Sequence, residues 1–181
     1  MRFHPVIAFL ILAAFVSCLA GCATYKITTP LAKALDTDAG WRIGEIRNAL
    51  PADMDEEDLP QDYDITLLEG FLKAELQARK LFREQGLPTV DELEVTGTIL
   101  KFNKGSYFLM SLFAGLFGGR PTLTIELRLL NRSTSEVLFA GRFKGEAIDS
   151  NQSLKHCYEQ VAWDFAETLR KYQNVWITEL P

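Results

Sequence analysis

Few side chains in this 181-residue chain have both the type and the surroundings to do chemistry. His156 and Cys157 are adjacent, and His156 is one of only two histidines. No basic cluster near Cys157 would depress its thiol pKa, so it reads as a buried structural cysteine rather than a nucleophile. Residues 51–64, PADMDEEDLPQDYD, hold seven carboxylates between Asp53 and Asp64. Clustered oxygens suit a hard cation, but the run lacks the glycine that an EF-hand loop places after its third ligand. It reads instead as a solvated acidic loop whose charge favours the positive end of a following helix. GLFGGR at 115–120 has neither the strand-to-helix setting nor the Lys-Ser/Thr ending of a phosphate loop. Ser133 and Ser135 lack a nucleophile elbow. The chain is therefore read as non-catalytic, with no catalytic residue, cofactor or metal site assigned.

Cys22 is different. Arg2 precedes an apolar stretch from Val6 to Val16, which is followed by small residues, in the layout of a secretory signal too short to span a bilayer. Leu19-Ala20-Gly21-Cys22 closes it and matches a lipobox, in which the Cys22 thiol takes diacylglycerol and the chain is cut between Gly21 and Cys22. Two or three acyl chains, palmitate among them, would anchor the mature protein stably where one would not. In the bacterial lipoproteins that this lipobox resembles, Asp after the lipidated residue favours inner-membrane retention, so the resemblance implies that Ala23 directs the protein to the outer membrane, with the domain facing the periplasm. Loss of residues 1–21 takes Arg2, His4 and Cys18 with it. That leaves 18 basic against 24 acidic residues, His156 as the remaining histidine and Cys157 as the remaining free thiol. An acidic balance argues against nucleic acid and against a basic patch for anionic lipid.

Around these residues the elements follow from periodicity. Residues 22–40 have no sustained pattern and read as a tether. A single domain is expected over 41–176, with a short tail at 177–181. Trp41–Ile46 suggests a first strand. A helix is expected from Ile65 to about Gln85, capped by Asp64 and ended by Gly86 and Pro88. Leu67, Phe71, Ala74, Ala78 and Leu81 lie on one stripe of it, and Ile65, Leu68, Leu72 and Leu76 on a second. Leu93, Val95 and Ile99 alternate along a strand. Leu123, Ile125, Leu127 and Leu129 alternate with Thr124, Glu126 and Arg128, and a turn at 131–135 leads to a partner strand carrying Val137, Phe139 and Phe143. Gly141 and Gly145 lie on the apolar side of that hairpin, where a helix can approach closely. Leu154, Cys157, Tyr158, Val161, Ala162, Phe165, Leu169 and Tyr172 repeat at helical spacing, with Trp163 on the opposite face as a candidate contact. The expected class is α+β: a mostly antiparallel sheet with two amphipathic helices on one face, in the order strand-helix-strand-hairpin-helix.

Between the strand and the hairpin, a connector at 107–119 contains YFLMSLFAGLF, eleven residues with Ser111 as the lone polar side chain. As a helix it would span about 16 Å, roughly half the ~30 Å hydrocarbon core. As a lone strand it would leave backbone groups unpaired in lipid. It therefore does not cross a membrane. Phe108, Leu109, Leu112, Phe113, Leu116 and Phe117 are the candidate partner or membrane contacts, with packing onto the chain's own sheet as the open alternative.

From about Trp41 to Tyr172 the chain resembles the bacterial lipoproteins of the domain-of-unknown-function 4410 family. The likeness rests on the helix LLEGFLKAELQARKLF before LEVTGTILKFNKG, on the hairpin LTIELRLLNRSTSEVLFAGRFKGEA, and on the closing helix ending LRKY. The resemblance implies a fold like the N-terminal domain of the Tol translocation protein and the periplasmic domain of the curli secretion channel. It implies an envelope assembly or binding module and no catalytic residue. The turn NRSTSE departs from the family's usual Asp and Thr-Gly, and the connector is apolar where the family is small and Gly-rich. Three functions are carried forward. One is an outer-membrane-anchored adaptor with an envelope protein partner or self-association. The second is a carrier of lipid or another apolar ligand associated with a transporter, and the third is an envelope enzyme.

Overall fold

A computed structural model describes residues 25–32, 34–35, 39–50, 65–82, 93–103, 121–147 and 154–178. In chain order the elements are β1 (Tyr25–Thr29), β2 (Trp41–Asn48), α1 (Ile65–Ala78), β3 (Leu93–Asn103), β4 (Thr122–Asn131), β5 (Glu136–Glu146) and α2 (Leu154–Thr178). The five strands form one sheet in the order β1-β5-β4-β3-β2. Only β2–β3 is parallel; the other three pairings are antiparallel. A parallel pair needs a long crossover, and α1 lies within it.

Period-two alternation decides which face the helices cover. Leu123, Ile125, Leu127, Leu129, Phe139 and Phe143 are fully buried, whereas Arg128, Arg142 and Lys144 on the other face are exposed. α2 packs on β5 and β4, and α1 packs on α2 and β2. Phe165 of α2 meets Phe143 edge-on at 5.5 Å between ring centroids and Phe139 at 5.9 Å. Cys157, Tyr158, Val161, Ala162, Phe165 and Leu169 are all fully buried, as the helical period required. The close approach expected at the hairpin glycines occurs at Gly145: a Cβ there would lie 2.2 Å from the Cys157 carbonyl oxygen.

Two expectations are corrected. The first is the tether at 22–40. Residues 25–29 are an edge strand on β5, and Leu31, Leu35 and Ala39 are buried in the core. Buried Gln173 holds this segment to α2: the Leu35 N–H donates to Gln173 Oε1 at 2.8 Å, and Gln173 Nε2 donates to the Leu35 carbonyl at 2.8 Å. Five residues give too few alternations to read as a strand, and Gln173 lies 138 positions away in sequence.

The second is the end of α1. The helix stops at Ala78 rather than near Gln85, with Lys80 at φ 51°. The Lys80 N–H donates to the Gln77 carbonyl (3.0 Å) and the Leu81 N–H to the Leu76 carbonyl (3.4 Å). That is a Schellman ending with a lysine in the left-handed site usually held by glycine. Gly86 and Pro88 lie outside the described residues.

The two apolar stripes of α1 are buried to different depths. Leu68, Leu72 and Leu76 enter the core, while Leu67 and Phe71 are half-buried and Ala74 and Ala78 exposed. A stripe on its own does not say which of two neighbouring faces meets the sheet.

The hairpin turn explains how NRSTSE closes without Asp or Gly. Asn131 Oδ1 accepts from the Ser133 N–H (3.0 Å), the Ser133 hydroxyl (2.7 Å) and the Thr134 N–H (3.2 Å). Asn131 thus does the work of the missing Asp, and Ser135 takes the left-handed position at φ 59°. Among the described residues no helix is long and apolar enough to cross a membrane.

Candidate interaction surface

Packing α1 against α2 leaves an open groove of about 510 Å³, lined by Phe71 and Glu75 of α1 and by His156, Glu159, Gln160 and Trp163 of α2. Trp163 is 49% exposed, against a core whose aromatic rings are otherwise covered. Its surroundings are ordered by charge. The Arg79 guanidinium carbon sits 5.5 Å from the Trp163 ring centroid, close enough for a cation–π contact. Arg79 itself pairs with Glu75 one turn back on α1 and with Glu167 of α2 (Nε to Oε2, 3.5 Å). Glu167 also accepts two bonds from Arg170, at 2.9 and 2.6 Å, and chiefly these hold its carboxyl below the usual carboxylate range. Arg79 therefore ties the two helices together and backs one side of the indole.

His156 Nδ1 lies 3.6 Å from Glu159 Oε2 on the groove rim. Cys157, its neighbour in sequence, is buried with Sγ 3.9 Å from the Pro121 carbonyl. The helix period thus separates the His156–Cys157 pair, so the groove brings together apolar and acidic side chains with one imidazole rather than a nucleophile and a base. Gln160 reaches back to the sheet, accepting from the Glu146 N–H at 2.9 Å. Among the described residues no group of three or more His, Cys, Asp or Glu side chains is placed to hold a metal ion.

The uncovered sheet face carries a second, smaller concavity of about 240 Å³, lined by Glu45, Arg47, Thr96, Thr98, Glu126, Arg128 and Leu130. Its charges answer one another. Glu126 takes bonds from Arg128 and from Arg142 Nε (3.2 Å), the first being the larger cause of its lowered pKa. On the β2 edge, Arg42 Nε donates to Glu94 Oε1 at 2.8 Å.

The residues singled out by sequence divide accordingly. Trp163 is exposed and Cys157 buried, both as read. Gly21 and Cys22, the acidic run 51–64, and Phe108, Leu109, Leu112, Phe113, Leu116 and Phe117 lie outside the described residues. Sequence reasoning missed Glu75 and Arg79. Arg79 is an ordinary helix-end arginine until α2 brings Glu167 and Trp163 beside it, a juxtaposition no local pattern encodes.

An α+β layer of this kind, two helices over one face of a five-stranded sheet, is the class in which the comparisons place the chain. Two crystal forms of PelC from Paraburkholderia phytofirmans, both described as dodecamers, align at TM-scores of 0.54 and 0.55 with 14% and 13% identity. They cover 81% of this chain and 96% of PelC. At that identity the likeness is one of fold alone. A protein of the domain-of-unknown-function 330 family from Xanthomonas campestris aligns at 0.41 with 13% identity, over 84% of this chain and 91% of its own, too loosely to support an argument. No protein-family model and no curated protein matches the chain.

Proposed function

We propose that this protein is a non-catalytic, outer-membrane-anchored periplasmic lipoprotein that acts as a binding or adaptor module in envelope assembly or transport. The lipobox at Cys22 and the resemblance to the domain-of-unknown-function 4410 lipoproteins support the anchor. The observation that carries the binding role is Trp163: a half-exposed indole, backed by Arg79 and standing in an open groove with Phe71. Tryptophan and arginine are the residue types that dominate contact energetics. PelC, which shares the fold, is described as a dodecamer, and this supports self-association as one form the partner takes. A carrier would need an enclosed apolar space between helices and sheet. Among the described residues that layer is occupied by Leu68, Leu72, Leu76, Val161 and Phe165, all at or near zero exposure. The test is in-cell photocrosslinking from position 163 and, separately, from position 113, with the lipidated protein in its native envelope. An adduct from 163 to a second copy or to one reproducible envelope protein is expected. A position 163 that captures nothing while the protein is anchored and folded would remove the groove as the binding surface.

A further inference from the structure

Strand polarity brings three features to one end of the sheet. β3 finishes at Asn103, opposite Thr122 where β4 starts, and Thr122 stands opposite Glu146 where β5 finishes. Both ends of the apolar connector therefore leave from this end, and the Pro121 carbonyl is held there by the Ala147 N–H at 3.0 Å. β1 runs antiparallel to β5 and begins at Tyr25, opposite Phe143, so the chain traced backward from Tyr25 heads toward Glu146. Cys22 is three residues before Tyr25, a reach of about 10 Å at most. The opposite end holds the 132–135 hairpin turn, Leu93 and Trp41, separated by the eleven residues of β3, about 30 Å.

The geometry points to a phospholipid surface as the partner of the Asn103–Thr122–Glu146 end. This inference rests on lipidation at Cys22 as proposed above. With β1 starting three residues from the anchor, the domain has no long stalk on which to swing, so this end is held against the bilayer whatever else binds. It is also the end from which YFLMSLFAGLF leaves. Apolar side chains with one hydroxyl among eleven suit burial at the boundary of headgroups and acyl chains. The acidic run that follows Leu50 leaves from the same end, but beside β2, whose last residue Asn48 pairs with Ile99. β2 is the far edge of the sheet from β1, about 19 Å away over four strand spacings. The seven carboxylates of 53–64 oppose any attraction to anionic lipid, so charge does not draw this end to the bilayer and the Cys22 anchor on the β1 side does.

The test uses the full lipidated protein in phosphatidylcholine vesicles that carry headgroup nitroxide lipids. A fluorophore is attached through Asn103→Cys in one sample and Arg132→Cys in another, with Lys101→Cys and Glu136→Cys as a second pair in case a substitution disturbs folding. Emission at 103 and 101 should fall several-fold more than at 132 and 136, and iodide in solution should give the reverse order. Equal quenching at both ends overturns the orientation, as does a near-end label shielded from lipid and iodide alike, which would mean a second copy covers it. The intact mass of the same samples separates the two readings. Acyl chains on Cys22 with equal quenching refute the orientation alone, whereas their absence removes the anchor and this inference with it.

Discussion

Gly145→Ala tests how tightly α2 is seated. The added Cβ would lie 2.2 Å from the Cys157 carbonyl oxygen and 2.7 Å from its carbonyl carbon and Cα. These are backbone atoms and cannot rotate away, so ordinary contact near 3.5 Å requires the first turns of α2 to retreat by about 1 Å. Overpacking of this kind costs about 1–3 kcal/mol. The same retreat stretches the Glu146 N–H to Gln160 bond of 2.9 Å, worth about 1 kcal/mol. Alanine narrows the unfolded ensemble and returns about 0.4–1 kcal/mol. The net expectation is a loss of about 2–3 kcal/mol, or about 4–12 °C in Tm for a chain of this length. Thermal and urea unfolding followed by tryptophan fluorescence would read it, since Trp41 is buried beside Phe82. Gly70→Ala is the control: it lies mid-helix, exposed, with nothing within 4 Å of the new Cβ, and should stabilise by about 0.5–1 kcal/mol. If Gly145→Ala were neutral, or stabilised as Gly70→Ala does, then α2 would not press on β5 as described.

Other outcomes follow from the same contacts. Gln173→Ala strands the Leu35 N–H and carbonyl in a buried site and should cost about 2–3 kcal/mol in denaturant unfolding, with faster proteolysis near residues 31–39. Lys80→Gly and Ser135→Gly relieve left-handed backbone and should each raise stability by about 0.5–1 kcal/mol, measurable as a higher urea midpoint. Glu126 and Glu167 have folded-state pKa values lowered by arginine bonds, so their contribution is present above the unfolded carboxylate pKa of about 4.3 and is lost as pH falls through the lower folded values. Stability measured from pH 6 downward should therefore drop below about pH 4.3, and Glu126→Gln should flatten that drop. An unchanged profile in Glu126→Gln would show that its arginine bonds add nothing beyond exposed pairing.

Features that rest on a sustained period within one element were legible from the residues alone. Strict alternation in 123–129 could have only one greasy face, so the hairpin and its core side were legible, but Val137, read as part of that face, is exposed because a bulge at Leu129–Leu130 breaks the register there. The 3.6-residue repeat of 154–172 likewise required Cys157 inside and Trp163 outside, since Trp163 falls opposite the centre of the apolar stripe to which Cys157 belongs. Tertiary structure decided whatever depends on which surfaces meet. Residues 25–29 are a strand because β5 offers an open edge, and Leu31, Leu35 and Ala39 are core, with Gln173 holding Leu35 in place. α1 buries Leu68, Leu72 and Leu76 rather than Leu67 and Phe71 because α2 and β2 flank that side. That choice leaves Phe71 beside Trp163 and creates the groove. Strand polarity, which no local pattern records, sets the start of β1 and both ends of the apolar connector at the same end of the sheet.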